Sequence, residues 1–278
     1  MAARTSRVRH RLELWNGGPD LHDLGRYRRR LAEIDRLGSR LRRLDDNTLR
    51  QASHRLGIEI RSGASEDDIL EEAAALVREA AWRILGQRPF GVQVLAGLAM
   101  HDGRLVEMAT GEGKTLTAVL PAYLGGLSGR GVHVLTFNDY LAHRDAEWMG
   151  PIYRFLGLTV GWVGGGMSPS DRQAAYGCDI TYVTAKEAGF DLLRSHLASE
   201  PDDIVHRDFH FGIVDEADSI LIDEARVPLV IAGVLGTPEE TPYGLAELVD
   251  RLDPDEHFAT DEYSRNIELT AVGIDRVE

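Results

Sequence analysis

The sequence has one cysteine and no long apolar run, and both shortages exclude classes of protein. Cys178 has no second cysteine with which to form an intramolecular disulfide or a cysteine-based zinc site. No stretch of about 18 apolar residues is present, so the sequence predicts no membrane-spanning helix. The first 15 residues are rich in arginine and lack the apolar core of a secretory signal peptide. These features predict a cytoplasmic protein.

Lysine is also scarce. Only Lys114 and Lys186 are lysines among the 31 basic residues, and all the others are arginines. A lysine retained against that bias suggests a site that needs a compact ammonium group, because a forked guanidinium differs from it in shape and hydration. Lys114 lies in a glycine-rich stretch where such a requirement is expected.

The net charge of −14 is unevenly distributed along the chain. Residues 1–61 contain 15 basic and 8 acidic residues, a net charge of +7, whereas the remainder contains 16 and 37, a net charge of −21. Because nucleic-acid binders carry their positive charge on the working domain, no nucleic-acid partner is expected. The leading arginines could contact an anionic membrane surface or a partner protein, or form a solvated helix face. They are Arg4, Arg7, Arg9, Arg11, Arg26, Arg28, Arg29 and Arg30.

Two amphipathic helices are predicted before residue 90. Apolar residues recur at three- and four-residue steps over residues 31–44 and again over residues 65–84. Ser65 and Asp68 have the spacing of a helix-capping pair, and Pro89 is expected to end the second helix.

From residue 104 onward, short apolar segments alternate with helical segments. This alternation predicts an α/β fold, in which helices cover both faces of a parallel sheet and ligands bind at the carboxyl ends of its strands. Two further strands are predicted after a domain boundary near residue 227. The predicted strands are residues 104–108, 132–137, 158–163, 180–183 and 209–214, followed by 228–232 and 263–270.

Residues 108–115 predict a phosphate-binding loop, called the phosphate loop below. Its glycines would let the backbone wrap a phosphate group at the start of a helix, while Lys114 reaches the β- and γ-phosphates and the Thr115 hydroxyl ligates Mg²⁺. Met108 replaces the first glycine of the usual Walker A pattern, which is typical of superfamily-two helicases and their relatives. The expected cofactors are ATP and Mg²⁺. The candidate nucleotide contacts in the loop are Thr110, Gly111, Glu112, Gly113, Lys114 and Thr115.

A pair of carboxylates follows the predicted strand at residues 209–214. Asp215 is the candidate Mg²⁺ ligand, acting through a water molecule, and Glu216 is the candidate base for the attacking water. An acidic helix start is the alternative, and it suits Asp218 better than the pair. The candidate catalytic residues are therefore Lys114, Asp215 and Glu216. The arginine that phosphoryl transfer usually requires has no clear candidate in this chain.

Residues 88–93, called the adenine loop below, precede the phosphate loop. The amide of Gln93 could pair with the edge of adenine, and Phe90 could cover the ring. Together with Arg88, these residues are the candidate base contacts.

Four stretches of the sequence closely resemble the SecA family, the ATPases of bacterial protein export. They are residues 88–93, 107–115, 132–142 and 214–226, and the likeness is nearly continuous from residue 76 to the end. An RNA helicase would not carry the Asn-Asp-Tyr-Leu block at residues 138–141. The resemblance implies a RecA-like P-loop motor that uses ATP hydrolysis to move preproteins through the SecYEG channel.

The resemblance also implies a domain plan and a location. Residues 1–60 would form a basic helical arm, residues 61–226 the first nucleotide-binding domain, and residues 227–278 the start of the preprotein-binding domain. Implied partners are SecYEG, preproteins, an anionic membrane surface and a second copy in a homodimer. The protein would be cytoplasmic and peripherally attached to the inner face of the cell membrane. A second motor domain, which this chain lacks, would supply the missing arginine.

Departures from the family pattern at Ala109, Ala217 and Val227 resemble the accessory, second-copy form of SecA. Two other functions remain open at this point. A superfamily-two nucleic-acid helicase would share the phosphate loop and the acidic motif, and a nucleotide-binding module without hydrolysis would need only the loop.

Overall fold

The computed structural model describes residues 24–231, 249–254, 256–260 and 267–277. The chain forms two compact units, Met1–Leu229 and Val230–Glu278. Of the leading arginines, Arg4, Arg7, Arg9 and Arg11 lie outside the described residues. No helix among the described residues is long and apolar enough to cross a bilayer.

Three helices open the described part of the first unit. They are α1 (Gly25–Leu41), α2 (Asp46–Arg61) and α3 (Glu66–Leu85). The helix predicted over residues 31–44 is confirmed up to Leu41. No separate helix was predicted over residues 46–61 from hydrophobic periodicity, although this segment lies almost wholly within the helical arm that the resemblance implied for residues 1–60.

The ends of α3 follow from local chemistry. Ser65 caps its start by accepting a hydrogen bond from the N–H of Asp67 at 3.2 Å, so the capping donor is not Asp68 as the spacing predicted. The prediction that Pro89 ends the helix is wrong. Gly86 ends it in a left-handed conformation (φ 67°), which glycine adopts without steric cost, and its N–H bonds to the carbonyl of Trp82.

The next two helices are α4 (Gly91–His101) and α5 (Lys114–Gly126). The strand predicted at residues 104–108 does not form, and the phosphate loop therefore follows irregular chain. An apolar pattern becomes a strand only where another strand pairs with its backbone, and Leu105 is fully exposed at 88%. No partner strand lies beside this segment in the described part of the chain.

A four-stranded parallel sheet forms the centre of the first unit, which confirms the predicted α/β fold. The strand order is β2-β3-β1-β4, with β1 at the centre beside β3 and β4. Its strands are β1 (Val132–Thr136), β2 (Val160–Val163), β3 (Ile180–Thr184) and β4 (Phe211–Val214). The helices between them are α6 (Asp139–Phe155), α7 (Pro169–Tyr176) and α8 (Ala185–His196), and a 3₁₀ turn at Pro201–Asp203 follows.

The first unit has one main core. Ile34 of α1 and Leu49 of α2 belong to the same buried cluster as Val132 and Ile180 of the sheet. The described part of the basic segment is therefore packed on the sheet-bearing body by apolar side chains. Its assignment as a separate arm over residues 1–60 stays a prediction.

After β4 the chain forms a π-helical turn at Ser219–Asp223. Residues 228–231 form no strand, so that prediction is wrong for the described residues, and residue 232 lies outside them. The second unit contains the antiparallel strands β5 (Phe258–Thr260) and β6 (Ile267–Leu269) and a short helix, α9 (Ala271–Val277). The strand predicted over residues 263–270 is confirmed for residues 267–269.

A buried histidine lies in the sheet. His133 of β1 is 3% exposed, and neither ring nitrogen has a hydrogen-bond partner among the described residues. Its ring lies 5.0 Å from that of Phe209 and 5.7 Å from that of Tyr176. Burial, followed by the positive charge of Arg207, lowers the pKa of His133 from 6.5 to about 4.

This histidine is expected to make the fold sensitive to acid. Between pH 6.5 and 4 the imidazole binds a proton in the unfolded chain but not in the folded one, so stability falls as the pH falls. The shift corresponds to a loss of about 2 kcal/mol between pH 7 and pH 5. Urea unfolding of a His133→Leu variant at the two pH values should show a smaller loss than the unsubstituted chain. The exposed His54 provides the control, since His54→Leu should leave the loss unchanged. An equal loss in the His133→Leu variant would contradict the assignment.

Candidate functional site

The phosphate loop leads directly into α5, whose first residue is Lys114. Gly111 and Gly113 have φ angles of 87° and 80°, a left-handed conformation that a side chain would strain. The first N–H groups of a helix have no partner within the helix and favour an anion. Lys114 is exposed and forms no ion pair with a described residue, and Thr115 beside it is half-buried. The turn and the lysine can thus receive a phosphate group.

The direction of α5 places Lys114 at the carboxyl edge of the sheet, meaning the side where its strands end. Gly125 near the end of α5 packs on Val132 and Phe211, the first residues of β1 and β4. The 11 steps from Lys114 to Gly125 rise about 16 Å along the helix, and the four steps from Phe211 to Asp215 rise about 13 Å along the strand. Lys114 therefore lies toward the same edge as the residues that follow β4.

Asp215 and Glu216 follow β4 at that edge. The backbone N–H of Asp215 continues the pairing with β1 by bonding to the carbonyl of Leu135 at 2.9 Å. Asp215 is half-buried and Glu216 is exposed. β4 lies at the edge of the sheet among the described residues, and only Ile213 of its four residues is fully buried.

Glu216 has an unusual backbone. Its φ of 53° is positive, and it is the only non-glycine among the described residues with this conformation. Its N–H bonds to the carboxylate of Asp215 at 2.9 Å. Left-handed conformations of residues other than glycine cost free energy and concentrate at functional sites.

Asp145 lies near this acidic pair and was missed by the sequence analysis. It is on α6, is only 2% exposed, and accepts a hydrogen bond from Arg144 Nε at 2.8 Å. Burial raises the pKa of Asp145, the Arg144 pairing opposes that rise, and the negative charges of Asp215 and Glu216 add to it. Its only sequence signal was its position just after the Asn-Asp-Tyr-Leu block.

Gln93 joins the adenine loop to the phosphate loop. Its side-chain oxygen accepts from the N–H of Phe90 at 2.8 Å, and its amide donates to the carbonyl of Glu112 at 2.8 Å. A Cβ atom at Gly113 would lie 2.4 Å from the Gln93 amide nitrogen, so this close approach also requires glycine. The structure thus brings two of the predicted elements together, and the oxygen and the nitrogen of the Gln93 amide each already form one hydrogen bond within the protein.

The other two predicted base contacts lie on either side of Pro89. The Phe90 ring is 72% exposed and available to cover a planar group. Arg88 is half-buried, with Nη1 3.8 Å from the carboxylate of Glu79. Burial lowers the pKa of Arg88, and the nearby charges of Arg78 and Arg42 lower it further.

Comparison with known proteins settles the family. The sequence matches the SecA DEAD-like domain over residues 14–271. The chain belongs to the SecA DEAD-like domain family. It is 49% identical over 262 residues to the chloroplastic protein translocase subunit SecA of Ostreococcus lucimarinus. The aligned residues cover 94% of this chain and 28% of the relative.

Bacterial SecA proteins match equally well. The protein translocase subunit SecA of Trichormus variabilis is 48% identical over 267 residues, covering 96% of this chain and 29% of the relative. The protein translocase subunit SecA of Desulforudis audaxviator is 48% identical over 256 residues, which cover 92% of this chain and 28% of the relative. The chain thus spans less than a third of the length of these SecA relatives.

Proposed function

We propose that this chain binds Mg²⁺-ATP at the carboxyl edge of its sheet and forms the first nucleotide-binding part of a SecA-type ATPase. The observation that carries the proposal is the joining of the phosphate loop to the adenine loop through Gln93, at the edge where Asp215 and Glu216 follow β4. Membership of the SecA DEAD-like domain family supports it. The predicted base contacts remain part of this proposal.

The available side chains suit the two cofactors. The Thr115 hydroxyl would hold Mg²⁺ directly and the Asp215 carboxylate would hold it through a water molecule, and oxygen groups of this kind are the ones that Mg²⁺ prefers. When bound, Mg²⁺ neutralises phosphate charge during transfer. Lys114 supplies a second positive charge at the phosphates, and Glu216 takes a proton from the attacking water.

We further propose that the whole protein moves preproteins across a membrane. The relatives are named protein translocase subunits, and this supports SecYEG and preproteins as partners. In this proposal the protein is cytoplasmic, attaches peripherally to the anionic inner face of the membrane, and can form a homodimer. A second motor domain supplies the arginine of the ATP site, and residues 227–278 begin the preprotein-binding domain.

The accessory, second-copy type is a finer proposal. It is supported by Ala109 after Met108 in the phosphate loop, by Ala217 in the acidic motif and by Val227 after it. Deletion of the gene should leave cells viable if another SecA carries out essential export, whereas loss of viability would contradict the accessory role.

The translocase proposal predicts which additions raise the ATPase rate. We expect the protein at the full length of its relatives to be stimulated severalfold by membrane vesicles carrying SecYEG together with a preprotein, as judged by phosphate release. The isolated 278 residues should bind ATP but hydrolyse it slowly, because the facing domain completes the charge neutralisation. The net charge of −21 beyond residue 61 disfavours nucleic acid.

The same assay separates the helicase alternative. Stimulation by RNA that falls steeply with salt, with no response to SecYEG vesicles, would overturn the translocase proposal. Hydrolysis by the isolated chain at the rate of the full-length protein would contradict the need for a facing domain.

A further inference from the structure

Helix α1 is connected to the adenine loop through one arginine of α3. Arg78 Nε donates to the carbonyl oxygen of Pro89 at 2.8 Å, and its Nη1 bonds to the carboxylate of Asp35 on α1. The Arg78 side chain is 11% exposed, whereas that of Asp35 is 56% exposed. The largely buried guanidinium of Arg78 thus binds the backbone of the adenine loop at Pro89, and Asp35 of α1 binds the same guanidinium.

This connection continues to the phosphate loop. Pro89 is followed by Phe90, whose N–H bonds to the Gln93 side chain, and Gln93 in turn donates to the carbonyl of Glu112. Arg78, Pro89 and Gln93 also line one small cavity together with Leu116 and Thr117 of α5. Hydrogen bonds therefore connect Arg78 to the adenine loop and the adenine loop to the phosphate loop, and the same residues line one cavity with α5.

Apolar and close contacts hold the adenine loop against α1 as well. A Cβ atom at Gly91 would lie 3.1 Å from Leu31, and one at Gly38 would lie 3.3 Å from an Arg88 guanidinium nitrogen. Such tight packing leaves little room for the loop to shift unless α1 shifts too. The adenine loop is therefore positioned by α1 and α3 on one side and by α5 on the other.

We propose that Arg78 is a positioning residue for base recognition and that Asp35 orients it. The inference rests on the proposed ATP site, since it assigns what sets the geometry of the Phe90 and Gln93 contacts. An arginine suits this place because its planar fork donates along two directions at once, to a carbonyl and to a carboxylate. Removing the fork would free the Pro89 carbonyl and loosen the Phe90 to Gln93 turn, while the phosphate loop keeps Lys114 and its glycines.

The test compares ATP and GTP binding to the 278-residue chain by calorimetry. Arg78→Met should weaken ATP binding by about tenfold and GTP binding by about twofold or less, because only base recognition depends on the adenine loop. Asp35→Asn is at an exposed position and should give a smaller loss in the same direction. Arg78→Lys keeps the charge but not the fork, and should fall between the unsubstituted chain and Arg78→Met.

Arg55 provides the matched control. It joins α2 to α3 by an ion pair with Glu72, as Arg78 joins α3 to α1, and it also pairs with Glu59 within α2. Arg55→Met should change the unfolding temperature without changing the ratio of the two dissociation constants. The inference is overturned if Arg78→Met and Asp35→Asn keep the ATP-to-GTP ratio of the unsubstituted chain, or if Arg55→Met shifts that ratio equally.

Failure of the underlying ATP site gives a different result. If the unsubstituted chain binds neither nucleotide, or if Lys114→Ala binds ATP as tightly as the unsubstituted chain, the proposed function fails and this inference falls with it. If ATP binding depends on Lys114 but the ratio is insensitive to Arg78, only the positioning role is wrong.

Discussion

Replacing Lys114 with alanine is expected to lower the ATPase rate of the full-length protein by about 10²- to 10³-fold, as loss of one pre-positioned charge at the reacting group typically does. Lys114 opens α5 after two left-handed glycines, is exposed, and has no carboxylate partner among the described residues. Its charge is therefore available to an incoming phosphate. The measurement is steady-state phosphate release at saturating Mg²⁺-ATP, with circular dichroism to confirm the fold.

Lys186 supplies the control for this experiment. It is the other lysine of the chain, it is exposed, and it lies in the first turn of α8, which follows β3 at the same carboxyl edge. Lys186→Ala removes an equal charge from a similar position and should leave the rate within about twofold, as substitutions away from reacting groups usually do. Equal losses in the two variants would show that general positive charge, and not the ammonium of the phosphate loop, supports catalysis.

The sequence predicted the sheet well because local pattern and tertiary setting agree there. Residues 132–136 and 180–184 are short apolar runs whose backbones pair in register along five residues. A helix cap stands at or just after the end of each run, where the side chain of Thr184 accepts a hydrogen bond from the N–H of Glu187 and that of Asn138 accepts one from the N–H of Leu141. The apolar run, the turn and the helix cap all indicated a strand followed by a helix, so the local pattern was sufficient to predict these elements.

The strand predictions failed where a strand forms only if a neighbouring strand pairs with it. Residues 104–108 have a strand-like pattern but no neighbouring strand among the described residues, and residues 228–231 fail in the same way. Pairing is a property of two segments, and a single-segment pattern cannot supply it. The helix α2 was missed for the opposite reason. Its Leu49 and Leu56 are fully buried against other elements, but polar residues between them hide the stripe.

The sequence nominated a set of candidate site residues but gave no geometry for them. Glycine spacing and the acidic motif identified Lys114, Asp215 and Glu216, since those residue types follow from phosphate chemistry. The positive φ of Glu216, the burial of Asp145 and the bond from Gln93 to the Glu112 carbonyl depend on how separate elements meet. The link from Arg78 to Pro89 likewise joins residues whose spacing carries no motif.

The acidic pair gives the second large expected effect. Glu216→Gln in the full-length protein should lower ATP hydrolysis by about 10²- to 10⁴-fold, the range that a general base typically contributes. Glutamine has the same shape as glutamate and should tolerate the same backbone turn, but its amide does not accept a proton at neutral pH. ATP binding should persist, because Lys114, the glycine turns and Asp215 are unchanged. A filter assay with labelled ATP should then recover unhydrolysed nucleotide on the variant.

The two carboxylates are proposed to have different roles, Asp215 in holding Mg²⁺ and Glu216 in accepting a proton from water, and substitutions at the two positions separate these roles. Asp215 is half-buried and accepts a hydrogen bond from the N–H of Glu216, which restrains a carboxylate proposed to hold Mg²⁺ through a water molecule. Glu216 is exposed, as a group that meets a water must be, and its backbone has a positive φ. Asp215→Asn should therefore reduce the Mg²⁺ dependence of binding, whereas Glu216→Gln should not. Glu224→Gln, at an exposed position eight residues further on, should leave both properties unchanged. If Glu216→Gln weakened Mg²⁺-dependent binding as Asp215→Asn does, the pair would act as one metal site, and the base would have to be sought elsewhere.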